Sequence, residues 1–322
     1  MTNYNKVFEE RQYRSVTTRA AKYFQEKAVT ADIPLIKTDV FDAKEYTYVP
    51  LSDPIVTQGG LEWSEEGKIA AVVHNSATIK LYSQMMHILT NNNDIANFGS
   101  QLMADKHAVM IDKFALDVDY ANLHGPKTTD NPNTPGMQIA EGLIGQLTSM
   151  QDLAGGASNL ATKGYIWAAI KKMVDGIPIG MRSEGPDMFL YMSEKIYANA
   201  TAPDRVYNDM VEWDFIYKTF MGPEALHPRK IGKVIVTNHV LAEATDDTDG
   251  ENADTVDTLG THDRMLLICP DPRWVGRVVS RSFSLVGEES GMLHNHQLYG
   301  HRGRAYFFNT DCAEYTEALT WA

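Results

Sequence analysis

Residues 53–82 read DPIVTQGGLEWSEEGKIAAVVHNSATIKLY, and how this stretch satisfies itself decides the fold. Gly59-Gly60 and the polar, acidic Glu62-Trp63-Ser64-Glu65-Glu66-Gly67 are turn material. Ile69 to Val73 and the alternation from Thr78 onward are β-forming, so the stretch predicts a long hairpin. A two-stranded ribbon with a small apolar face is marginal alone. It needs a surface outside itself, either the body of its own chain or a neighbouring subunit.

On the amino-terminal side, Leu35 to Pro54 reads as extended, with Tyr46 and Tyr48 alternating with polar neighbours. Before Ile33-Pro34, residues 7–28 space Phe8, Tyr13, Val16, Ala20, Phe24 and Ala28 as an amphipathic helix would. This arm carries Lys6, Arg11, Arg14, Arg19, Lys22 and Lys27 against Glu9, Glu10 and Glu26. Its small positive excess reads most simply as a solvated helix face.

On the carboxyl-terminal side, Asn91-Asn92-Asn93-Asp94 offers helix caps, and Ile95, Phe98, Leu102, Val109, Met110, Phe114, Val118 and Ala121 recur with helical period. Leu123-His124-Gly125-Pro126 stops the helix. About 28 residues at 1.5 Å each make a rod of roughly 40 Å. A Pro-, Asn- and Thr-rich loop over 126–137 then leads to a compact region. There we expect a helix from Ala161 to Val174, an apolar run Met188–Met192 turning at Ser193 into a short helix with Ile196 and Tyr197, and a buried strand Ile231–Val236. Further strands are expected at Arg264–Ile268, Val275–Val286 and Arg304–Phe308, before 311–319 closes the chain. Strands and helices mix without a βαβ rhythm, which predicts an α+β fold.

The chain has 322 residues, 43% hydrophobic and 22% charged, the balance of a globular protein of roughly two domains. Its 29 basic and 42 acidic side chains leave a net charge of −13. That disfavours sequence-independent nucleic-acid binding through a broad basic surface. Cys269 and Cys312 are too few to staple such a chain, which points to a reducing compartment. No run is long and apolar enough for a bilayer, and the polar Thr2–Lys6 segment lacks a signal-peptide core.

The acidic run Glu243, Asp246, Asp247, Asp249, Glu251, Asp254, Asp257 and Asp263 contains no cation, but the EF-hand register fails, with Val256 where the bidentate glutamate belongs. A solvated loop between strands is the expectation. His294, His296 and His301 form the densest histidine group, and an alternating pair on a strand shares one face. No thiolate or glutamate stands at ligand spacing in the sequence, and Arg302 and Arg304 oppose a cation, so a polar strand and turn is expected and no metal residue is assigned. Phosphate-binding glycine loops, dinucleotide fingerprints, nucleophile elbows and zincin helices are absent from the sequence. No catalytic or cofactor-binding residue is assigned.

In order, the chain offers a basic amphipathic arm, a long hairpin with Trp63 to Gly67 at its tip, a capped rod from Ile95 to Gly125 and a compact α+β region. This order resembles the major capsid proteins of tailed double-stranded-DNA viruses, the Hong Kong 97-type fold shared with encapsulins. Trp63–Gly67 is similar to the aromatic-acidic-glycine stretch of the family's extended loop, and Ile95–Gly125 to its spine helix. Met188–Ser193 with Tyr197 resembles an axial strand running into a short helix, and Ile231–Val240 with Asn238 and Leu241 the next strand. Leu266–Arg281, with Asp271, Trp274 and Gly276, looks like a late axial hairpin, and Gly303–Ala313 like the returning strand.

The resemblance covers roughly residues 45–320 and implies an N-terminal arm over 1–52, an extended hairpin loop over 53–90 and a peripheral domain with spine helix over 91–130. An axial domain over 131–297 and a C-terminal return to the peripheral domain over 298–322 complete it. It implies a structural protein, not an enzyme, that self-assembles through pentamers and hexamers into an icosahedral shell around double-stranded DNA. Its place would be the virion, after assembly in the host cytoplasm. Partners would be identical subunits, with separate scaffolding, portal or decoration proteins accommodated, no sequence-specific DNA contact, no membrane and no cofactor. An encapsulin-type compartment shell is the alternative, and a metal-dependent enzyme using His294, His296 and His301 the remote one. Trp63, Glu65, Glu66 and Lys68 are the candidate intersubunit contacts. The chain before the hairpin leaves no room for a large scaffolding segment, and the residues by which some relatives crosslink subunits are not placed.

Overall fold

The computed structural model describes most of residues 18–48, residues 76–91, the helical positions among 109–123, residues 142–147 and 150–151, then 162–223, 231–236, 262–281, 283–290 and 293–320. Its strands are β1 Leu35–Lys37, β2 Glu45–Tyr48, β3 Ala77–Lys80, β4 Tyr82–Asn91, β5 Met150–Gln151, β6 Met188–Met192 and β7 Val206–Tyr207. They continue with β8 Met210–Val211, β9 Ile231–Val236, β10 His262–Ile268, β11 Val275–Arg281, β12 Ser284–Ser290, β13 Leu293–Phe307 and β14 Ala313–Thr320. Two five-stranded sheets organise them.

One sheet has the order β5-β14-β10-β6-β9. Its strands β6 and β10 carry continuous apolar runs, as strands covered on both faces do: Met188, Leu190, Tyr191 and Met192 of β6 and Met265–Ile268 of β10 are fully buried. The helix Tyr165–Gly176 lays Ile166, Ala169, Ile170, Met173 and Val174 into the same core, the three-and-four spacing of one helical stripe. At the end of β6 the apolar run meets Ser193, whose hydroxyl accepts the Ile196 N–H at 3.3 Å and starts the helix Glu194–Ala200.

The other sheet runs β1-β11-β13-β12, with β4 on the second edge of β13. β11 and β12 follow one another along β13, from Val275 opposite Phe307 to Ser290 opposite Leu293, so the three strands make one long antiparallel ribbon. Gly303 of β13 passes so close to the Val278 carbonyl that a Cβ there would lie 2.3 Å from the oxygen. Only glycine fits that crossing.

The described positions of the expected rod, 109, 111, 112, 114, 115, 118, 119 and 121–123, are all helical, while its start at Ile95 lies outside the described residues. Ile111, Phe114, Ala115 and Val118 bury one face of it against Phe24, Ala28 and Phe283. The Phe283 ring centroid sits 6.1 Å from Phe24 and 6.0 Å from Phe114, and the Arg277 guanidinium lies 4.8 Å above Phe24. The last part of the arm helix therefore caps its own rod, with Thr18 and Arg19 exposed. Arg11 and Arg14 lie outside the described residues.

A buried carboxylate fixes that junction. Asp119 accepts the Val29 N–H at 2.9 Å, the Thr30 N–H at 2.8 Å and the Thr30 hydroxyl at 2.6 Å, holding the single 3-10 turn Val29–Asp32. Asp119→Ala leaves those donors buried and unmet, at a cost of about 1–3 kcal/mol. Limited trypsin digestion should then cut faster at Arg19 and Lys22 while the remainder keeps its resistance. Unchanged cleavage would mean that the arm is held by its aromatic contacts alone.

Several expectations need correction. Leu266–Arg281 is no hairpin: β10 pairs with β6 and β14, whereas β11 pairs with β1 and β13 in the other sheet. Cys269 to Trp274 is the crossing, made by Asp271, which accepts the Arg273 N–H at 2.9 Å while its own carbonyl accepts the Trp274 N–H. Ile231–Val236 is not a buried strand but a sheet edge, with Ile231 buried and Gly232, Lys233 and Val236 exposed. Lysine in such a strand discourages further pairing. The late strand begins at Leu293, well before Arg304. The expected helix at Ala161 starts at Tyr165. Most of the acidic run lies outside the described residues, with Asp263 in β10.

Candidate assembly interface

The root of the sequence-predicted hairpin is formed by β2 and β3, antiparallel, with Tyr46 opposite Ile79 and Tyr48 opposite Ala77. Its two faces divide by the strand period. The outer face carries Glu45 opposite Lys80 and the Thr47 and Thr78 hydroxyls 3.1 Å apart. The inner face puts Tyr46 and Tyr48 against Tyr306, Phe308, Ile36 and Ala43, over a floor of buried Ile79, Leu81 and Val278.

The Tyr48 ring centroid lies 4.7 Å from Phe308 and 5.7 Å from Tyr306, and Tyr46 lies 6.4 Å from Phe308. Such pairs contribute about 0.5–1.5 kcal/mol each beyond area burial. Burial, and secondly the Tyr306 hydroxyl, push the Tyr48 phenol well above its ordinary range, so it stays neutral. Backbone groups add to the anchorage: the Leu81 N–H donates to Lys44 O at 2.8 Å, and the Ser280 hydroxyl lies 3.1 Å from the Ala43 carbonyl. The root is thus held by its own subunit.

Beyond the root the arrangement changes. β2 and β3 form a two-stranded sheet in which no other described strand takes part. Between them run residues 49–75, enough for a hairpin reaching about 40 Å from its root. Trp63, Glu65, Glu66 and Lys68 all fall in this segment and lie outside the described residues. The structure brings none of the four to a described contact, but it places the ends of their segment side by side.

Sequence reasoning missed the exposed apolar side chains of the compact region. Ile179 is 67% exposed, Tyr217 53% and Val206 45%. Val206 begins a small β7–β8 hairpin whose tip residues Asn208 and Asp209 take positive φ of 49° and 64°, the left-handed pair that a two-residue turn requires. An apolar residue in a polar context carries no signal of whether it ends inside or outside.

His294, His296 and His301 all lie on β13. Among the described residues no group of three or more His, Cys, Asp or Glu side chains is gathered at metal-binding reach. Among them, also, no helix is long and apolar enough to cross a membrane.

No protein-family profile and no curated protein sequence matches the chain. Solved structures do. The capsid of Myoviridae phage XM1 matches over 90% of this chain and 91% of its own, at 13% identity and a TM-score of 0.58. The virus-like particle from Pyrococcus furiosus matches over 95% and 99%, at 9% identity and a TM-score of 0.54. The procapsid of satellite phage P4, solved with its size determination protein, matches over 94% and 98%, at 12% identity and a TM-score of 0.53. Mixed α and β with two five-stranded sheets, the chain has the α+β fold of the Hong Kong 97-type capsid proteins.

Proposed function

We propose that this chain is a major capsid protein, a structural subunit that self-assembles through pentamers and hexamers into an icosahedral shell enclosing double-stranded DNA. The observation that carries the reading is the end-to-end likeness to a phage capsid subunit, over 90% of one chain and 91% of the other. The β2–β3 root supports it, being anchored on its own subunit in a two-stranded sheet that no other described strand joins.

A heterologous contact repeated by rotation closes into rings, and rings tile a shell. In this reading residues 49–75 lie across a neighbouring copy, which supplies the apolar and backbone partners a bare ribbon lacks. Trp63 is the anchor, because aromatic residues contribute disproportionately at interface centres, and Glu65, Glu66 and Lys68 surround it with charge. We propose the division into arm, 1–52, extended loop, 53–90, peripheral domain, 91–130, axial domain, 131–297, and peripheral return, 298–322, with one adjustment from pairing: β14 adds to the sheet of β10. The virion would be its place. Accessory proteins, such as the size determination protein seen with the P4 procapsid, would meet the shell as separate chains.

Electron microscopy of the purified recombinant protein tests the reading. Closed particles of uniform size are expected. A compact monomer that stays monodisperse at high concentration overturns it. A second reading, a protein compartment, is favoured by the likeness to the Pyrococcus furiosus virus-like particle over 95% and 99% of the two chains. Nucleic-acid absorbance in purified particles supports the capsid, and a co-purifying enzyme supports the compartment.

A further inference from the structure

We propose that an arginine cluster on the paired strands β11 and β13, made of Arg281, Arg302 and Arg304, is the docking surface for the acidic segment Glu62–Gly67 of a second copy of this chain. The inference rests on the capsid reading and names the surface that receives the loop on the neighbouring copy. Along β13 the two-residue period divides the side chains. Ala305 and Phe307 are buried in the core, whereas Arg302, Arg304 and Tyr306 share the other face and keep part of their surface exposed. On β11 the register shifts between Val279 and Arg281, which sets Arg281, also part-exposed, directly opposite Arg302. A bulge of this kind re-aims a side chain. Arg302 and Arg304 stand about 7 Å apart along the strand. Three cationic side chains thus share one small patch on a chain whose net charge is −13.

The patch suits an acidic peptide with an aromatic residue in it. Like charges directly opposed across a strand pair favour a ligand of the opposite sign. Guanidinium takes a carboxylate through two parallel hydrogen bonds, so geometry as well as charge is matched. An aromatic platform adjoins the arginines. The Arg304 guanidinium lies 5.4 Å from the Tyr306 ring centroid, and Tyr306 meets Tyr48 edge-on at 5.7 Å. Residues 58–67, QGGLEWSEEG, hold Glu62, Glu65 and Glu66 with Trp63 among them and contain no lysine or arginine.

The position of the patch points to a second copy as the donor of that segment. The patch adjoins the root of the loop: the Ser280 hydroxyl lies 3.1 Å from the Ala43 carbonyl and 3.2 Å from the Arg302 carbonyl, and Tyr306 packs with Tyr46 and Tyr48. Glu62 is the midpoint of residues 49–75, so an extended hairpin carries it about 40 Å from its own root. At that reach it meets the root region of the next copy. Each copy then gives one tip and receives one, the head-to-tail contact that rotation closes into a ring. Several charge pairs in one contact also fix its register and discourage wrong partners.

The test uses the full-length protein. Arg302→Glu/Arg304→Glu and, separately, Glu65→Arg/Glu66→Arg should each lower the yield of closed particles about tenfold or more, because like charges then meet across the contact. The chain carrying all four changes should recover most of that yield. Circular dichroism would show which variants remain folded, and Glu65→Arg/Glu66→Arg, which alters only the segment between β2 and β3, keeps the test sharp if the arginine variant does not. In Glu65→Cys/Arg302→Cys a short bismaleimide should join chains into a ladder on a denaturing gel, with neither single variant doing so, since the native Cys269 and Cys312 are buried. The proposal is overturned by normal particle yields from either folded charge reversal, by no recovery in the four-change chain, or by crosslinks that are absent or confined to one chain. Normal particles from Arg302→Glu/Arg304→Glu with reduced nucleic-acid absorbance would overturn it in favour of a phosphate-binding surface. If the wild type makes no particles the capsid reading falls, and the crosslinked ladder still decides whether the two surfaces meet.

Discussion

Deleting residues 58–68 is expected to leave a soluble, folded subunit that no longer makes closed particles. The root of the ribbon does not need its tip: Tyr46 and Tyr48 pack on Tyr306 and Phe308, and Ile79 and Leu81 are buried beside Val278, all within one chain. The deleted segment holds Trp63, Glu65, Glu66 and Lys68, the side chains assigned to the neighbour. Loss of a contact repeated at every subunit of a shell should be all-or-none in electron micrographs and in sedimentation. Shells of normal size from the deletion would refute the role given to the hairpin. An insoluble or unfolded product would instead show that the tip is needed by its own subunit.

The second large effect is expected at Glu212, a fully buried carboxylate in the compact region. Its Oε2 accepts the Arg205 Nε–H at 2.6 Å, and its Oε1 accepts the Trp167 backbone N–H at 3.0 Å. Arg205, 6% exposed, also donates to the Thr162 carbonyl at 2.8 Å and to the Asn199 side chain. One ion pair thus joins the start of the Tyr165–Gly176 helix, the end of the Glu194–Ala200 helix and the β7–β8 hairpin. Gly164, at φ +79°, lets the chain pass beneath Tyr207, whose ring would lie 2.4 Å from any Cβ there. Glu212→Ala leaves the guanidinium buried and unpaired, with an expected loss of about 3–5 kcal/mol. Urea unfolding would measure it. The paired replacement Arg205→Met/Glu212→Leu should recover much of that loss, because no uncompensated charge remains. A change within about 0.5 kcal/mol for Glu212→Ala, the size of an ordinary surface substitution, would contradict this account.

Both effects rest on contacts between residues far apart in the chain, and this separates what sequence reasoning reaches from what it does not. The apolar run of β6, its stop at Ser193 and the short helix after it were legible because capping and hydrophobic runs act over a few residues. The helical character of the described positions among 109–123 was legible for the same reason. The order of these local signals was enough to indicate the capsid-like fold.

Pairing was not legible. Nothing local says that β10 and β11, six residues apart, belong to different sheets, or that Tyr82–Asn91 lies along Leu293–Gly303. A strand takes its partner from whichever edge buries the most apolar surface and leaves the fewest backbone groups unmet, a choice made by the whole chain. The same holds for the candidate sites. That residues 53–82 call for a surface outside themselves, and that Trp63 stands among acidic neighbours, is read from composition and spacing alone. That the root is clamped by Tyr306 and Phe308 exists only in the tertiary structure, because packing brings together residues whose side chains carry no mark of each other in the sequence.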